Sequence, residues 1–136
     1  MSEKNRKLCA IISKMESAEA ADWLMREYPI ESKDYGEALL LLPHRSWKRS
    51  DQKRLAKYYF SKLPFASSRG YEAFTAFMST RLILDCMKEY LPKDKGQLDL
   101  LRYNAVPALM RAAKNETDHQ LIQDFEEQIR IAKIGE

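Results

Sequence analysis

Wherever this chain turns apolar, its apolar residues recur at helical spacing, and no stretch alternates as a half-buried strand does. Leu8, Ile11, Ile12 and Met15 form one stripe near the start; Leu121, Ile122, Phe125, Ile129 and Ala132 form another near the end. Recurrence at i, i+3, i+4 and i+7 is the mark of an amphipathic helix packed on a core. Only "ALLLL" (38–42) could pass for a buried strand, and no second candidate exists to pair with it. The pattern predicts an all-α protein, a compact bundle of about six helices.

Punctuation divides the chain. A first helix spans about 3–15, and Ser17 is placed to cap a second, "AEAADWLMREY", which Pro29 follows; the two could also be one bent helix. Ser32 precedes a short third helix that ends before Pro43. Ser50 and Asp51 open a fourth, about 51–62, stopped by Pro64. After the loop "FASSRG", a long helix over about 70–91 is apolar most of the way round, which predicts a central position. "QLDLLRYNAVPALMRAAKN" is helical on both sides of Pro107. Either Asn104 caps a new helix there, or one helix kinks. Thr117 or Asp118 is placed to cap the last helix. At 136 residues, this reads as a single domain, 1–136.

Composition excludes several classes. The apolar run "LCAII" near the N-terminus is too short for a signal peptide or a membrane span, and no later run approaches the length of a span, so the expectation is a cytoplasmic protein with no membrane association. Cys9 and Cys86 fall in apolar helices and read as reduced, buried thiols. With His44 and His119 they lack zinc-site spacing, so no metal is expected. No phosphate-binding loop, dinucleotide fingerprint, nucleophile elbow or zinc-protease motif occurs. No cofactor and no enzymatic activity are expected. His44, the best-placed catalytic candidate, is a lone histidine among cations.

Charge supplies the one candidate site. The chain is +3 overall, but residues 44–63 carry Arg45, Lys48, Arg49, Lys53, Arg54, Lys57 and Lys62 against Asp51 alone, a net of +6, so the remainder sums to −3. At 100° per residue, Leu55, Ala56, Tyr59 and Leu63 face the core, while Lys53, Arg54, Lys57 and Arg49 lie opposite. Phe60 falls among those cations, Tyr58 lies near Lys62, and Trp47 lies just upstream. Clustered cations are rewarded by phosphates through counterion release, and aromatic rings among them can stack on unpaired bases. The candidate nucleic-acid or polyanion contacts are therefore Arg45, Trp47, Lys48, Arg49, Lys53, Arg54 and Lys57, joined by Arg69 if its loop folds back beside the basic helix. The competing reading makes Trp47 a core anchor and pairs Arg54 or Lys57 with carboxylates elsewhere, such as Glu126 and Glu127. A second functional expectation is an adaptor domain without catalysis, open to homodimer formation, that docks on an acidic or amphipathic protein partner.

Overall fold

A computed structural model describes residues 1–134. It is all-helical, as the periodicity predicts. The described residues form α1 (Glu3–Ser13), α2 (Ser17–Glu27), α3 (Gly36–Leu41), a 3-10 turn (Leu42–His44), α4 (Arg49–Phe60), α5 (Ser68–Thr75), α6 (Thr80–Lys88), α7 (Lys95–Ala112) and α8 (Glu116–Ile134). One buried cluster draws side chains from all eight helices, among them Ile12, Leu24, Leu41, Tyr59, Phe74, Met87, Leu101 and Phe125. Cys86 is buried in it, whereas Cys9, expected inside, is only half-buried at its edge.

The expected helix over 70–91 is two helices. α5 ends at Thr75 with Ala76 as its C-cap, and Ser79, with extended backbone and a hydroxyl that accepts the Leu82 N–H, caps the next helix. α5 packs on α3 and α7, whereas α6 packs on α4 and α8. The apparent ring of apolar residues is two stripes of different phase laid end to end. The centre of the molecule is thus held jointly by α5 and α6.

Several caps also differ from the spacing. Glu16, not Ser17, is the N-cap of α2, and the Ser17 hydroxyl instead accepts the Lys48 N–H at 3.0 Å, tying the starts of α2 and α4 together. α4 starts at Arg49, which puts Ser50 and Asp51 inside its first turn. Asn115 caps α8 by accepting the Asp118 N–H, and Asp118 accepts the Lys114 N–H in return. α7 runs unbroken through Pro107.

The loop before α5 is fixed by a close approach. Phe65 is buried and lies so near Gly70 that a Cβ there would stand 2.5 Å from the Phe65 ring. The Tyr71 hydroxyl accepts the Phe65 N–H at 2.9 Å. Burial pushes the Tyr71 phenol up to about 12, against the opposing pull of that hydrogen bond. The Tyr59 hydroxyl, buried against the end of α2, donates to the carbonyls of Tyr28 and Leu24 at 3.0 and 3.3 Å.

Candidate polyanion interface

The eight candidate residues separate into three groups and one outlier. Arg45 and Trp47 serve the fold. Arg45 donates from Nη1 to the Ile12 and Met15 carbonyls at 2.6 and 2.9 Å, closing the open end of α1. Its guanidinium also lies 4.5 Å from the centre of the Trp47 ring. Trp47 is buried, and its indole N–H donates to the Leu42 carbonyl at 2.9 Å. It is a core anchor, as the competing reading has it.

Arg54 and Lys57 are paired, though not with Glu126 or Glu127. Arg54 bridges Asp22 on α2 at 2.8 Å and Asp51 on α4 at 3.1 Å. The Asp51 side chain is only 5% exposed, so Arg54 is what makes its burial tolerable. The hydrogen bond to Asp22 chiefly, with that to Asp51, raises the Arg54 pKa further. Lys57 reaches Glu89, just beyond α6, at 3.5 Å. Both cations remain about half exposed, so they still contribute to the local field.

Lys48, Arg49 and Lys53 form the third group. All three are exposed, and none has an ion-pair partner among the described residues. Lys48 and Arg49 stand at the beginning of α4, and Lys53 lies one turn further along it. Lys48 occupies its N-cap position with extended backbone and provides no capping hydrogen bond. The Arg49 and Ser50 N–H groups, which a helix cannot satisfy internally, lie at that end.

Arg69 lies elsewhere. It lines a cleft of about 330 Å³ between α3 and the start of α5, with Lys33, Tyr35, Leu39, Leu40 and Phe65. Lys62 turns towards the same region, 5.4 Å from the centre of the Tyr35 ring.

The aromatics expected to stack on bases are not displayed. Phe60 is 1% exposed, because Phe65 and Phe74 close over it with ring centres 6.2 and 4.8 Å away. A helical wheel places Phe60 outside, but it cannot show the loop that folds back onto the end of α4. Tyr58 is half-buried, edge-on to Tyr59, and its hydroxyl accepts the Ile30 N–H. The exposed aromatic is Tyr103 on α7, in a cleft with Arg102, Asn104 and Arg111. Nothing in the spacing points to that cleft except Pro107.

His44 is exposed at the end of the 3-10 turn, and His119 stands 3.9 Å from Glu116. Among the described residues, no group of His, Cys, Asp and Glu could hold a metal ion, and no helix is long and apolar enough to cross a membrane. Compared with protein-family models, with curated proteins and with solved structures, the chain matches none.

Proposed function

We propose that this is a cytoplasmic, non-catalytic helical binding protein that takes nucleic acid or another polyanion at the start of α4, through Lys48, Arg49 and Lys53. One observation carries the reading. Two exposed cations without ion-pair partners among the described residues, Lys48 and Arg49, stand at the positive end of a helix, and a third, Lys53, follows one turn on. A helix dipole favours carboxylates there and disfavours cations, by about 0.3–1 kcal/mol each in the first turn. Folding alone gives no reason for that placement. A phosphate over the uncapped N–H groups would be attracted both by the helix end and by the cations, and so would offset their repulsion. The cysteines, both free of disulfides, accord with a reducing compartment.

Trp47 and Phe60 are buried, so contact at α4 is with the phosphate backbone rather than with stacked bases. Fluorescence anisotropy of labelled duplex DNA and single-stranded RNA over a salt series tests this. About three neutralised phosphates give a slope of log affinity on log salt of roughly −2 to −3. Reversing Lys48, Arg49 and Lys53 to Glu should abolish binding of duplex DNA at low salt. Undiminished binding by that variant would remove the site.

A second reading is an interaction domain for an acidic or amphipathic protein segment, a second copy of the chain included. It is favoured by the cleft between α3 and α5, where Leu40 is 46% exposed, Lys33 and Arg69 have no ion-pair partner among the described residues, and no carboxylate is part of the lining.

A further inference from the structure

Pro107 sits deep inside α7, an 18-residue helix. Proline is the residue a helix interior tolerates least, because it has no N–H to donate and its ring crowds the carbonyl four residues back. Here that carbonyl belongs to Tyr103. It loses its helical donor, and the two residues that define the gap, Tyr103 and Pro107, both line one cleft of about 530 Å³. That volume falls within the range of small-ligand sites.

The rest of the cleft is chemically mixed. Tyr103 is 77% exposed, the highest value among the large apolar and aromatic residues described. Arg102, Asn104 and Arg111 line the same space. Arg111 is bonded to Glu72 at 2.9 Å, yet its side chain stays 59% exposed. Glu126 on α8 is the one carboxylate in the lining. The cleft thus brings together an exposed aromatic residue, one carboxylate and two guanidinium groups, and the carbonyl that Pro107 deprives of its helical donor belongs to one of its lining residues.

We propose that this cleft binds one nucleotide of a single-stranded nucleic acid whose base carries an exocyclic amino group. The base stacks on Tyr103, its amino group donates to the Tyr103 carbonyl that Pro107 leaves without a helical partner, and its phosphate meets Arg102 or Arg111. Planarity is matched by the ring, amino hydrogens by the acceptors and charge by the arginines. Uracil places a carbonyl where cytosine places an amine, so it would meet the Tyr103 carbonyl oxygen to oxygen. The site shares its ligand class with the proposal for α4 but none of its residues, so the two stand or fall separately.

The test is anisotropy at low salt with labelled single-stranded octamers of cytidine and of uridine. The full chain should bind oligo-C about 3- to 10-fold more tightly than oligo-U, the span of one neutral hydrogen bond. Tyr103→Ala should weaken both on the order of tenfold, and Tyr103→Phe should not. Pro107→Ala restores the missing N–H; it should erase the preference for C while raising the melting temperature. That variant separates lost recognition from lost folding. Reversing Lys48, Arg49 and Lys53 to Glu should lower affinity for both octamers and leave the preference intact. Equal binding of the two octamers by the wild type, no binding of either, or affinity unchanged in Tyr103→Ala would each overturn the assignment.

Discussion

Among single residues, two glycines make opposite predictions. At Gly70 a Cβ would stand 2.5 and 2.8 Å from ring atoms of Phe65. That ring is buried and fixed by Phe60 and Tyr71, with centres 6.2 and 5.0 Å away. It cannot yield cheaply, so Gly70→Ala should cost about 1–3 kcal/mol, as overpacking a core does. Gly36 is the first residue of α3, and a methyl group added there would meet nothing within 4 Å. Gly36→Ala should therefore be neutral or stabilise by up to about 1 kcal/mol, by restricting the unfolded chain. Urea titration of both variants checks the pair; equal effects would mean that Phe65 is not packed as described. The close approach of Gly70 to Phe65 could not be read from "FASSRG", since it depends on a loop folding back. The inward face of α4 could be read, and Leu55, Ala56 and Tyr59 are all fully buried. Helical phase reports what an element does to its own residues. It is silent on what a neighbouring loop does, which is why the wheel puts Phe60 outside and the fold puts it inside.

Among the helices, the all-α character was legible because it repeats in every segment, whereas boundaries depend on single side chains competing for backbone N–H groups. Two such contests went to Asn115 and Ser79, and at α2 Glu16 takes the N-cap position with no side-chain hydrogen bond while the Ser17 hydroxyl is drawn to Lys48. Ser79 has the largest structural consequence, since it separates two helices that pack against different partners. Its hydroxyl accepts the Leu82 N–H at 3.2 Å. Ser79→Ala should cost about 1 kcal/mol, and Ser79→Asp, which keeps the acceptor, should recover most of it. Thermal melts of the two variants decide the matter. If both melt like the wild type, the break between α5 and α6 is set by packing at Phe77 and Met78 rather than by the cap.

Across the molecule as a whole, what matters is where charge is satisfied. The sequence locates a net of +6 in residues 44–63 but cannot say which cations are already occupied. Ion pairing depends on Asp22 from α2 and Glu89 from the end of α6, both distant in the chain. The fold takes up Arg45, Arg54 and Lys57 and leaves Lys48, Arg49 and Lys53 over. If those three are kept for an anionic partner, they are kept against the interest of α4. Lys48 already has the extended backbone of an N-cap, φ −64° and ψ 148°, without a side chain able to accept a hydrogen bond. Lys48→Asp supplies the acceptor, worth about 1 kcal/mol, and Arg49→Glu turns an unfavourable dipole interaction into a favourable one of about 0.3–1 kcal/mol. The double variant should therefore unfold at a higher temperature than the wild type while losing affinity for duplex DNA at low salt. Calorimetry and anisotropy on the same preparation would show both. A variant that melts earlier would mean that the cations serve folding after all, and one that melts later but binds as before would place the polyanion on another face.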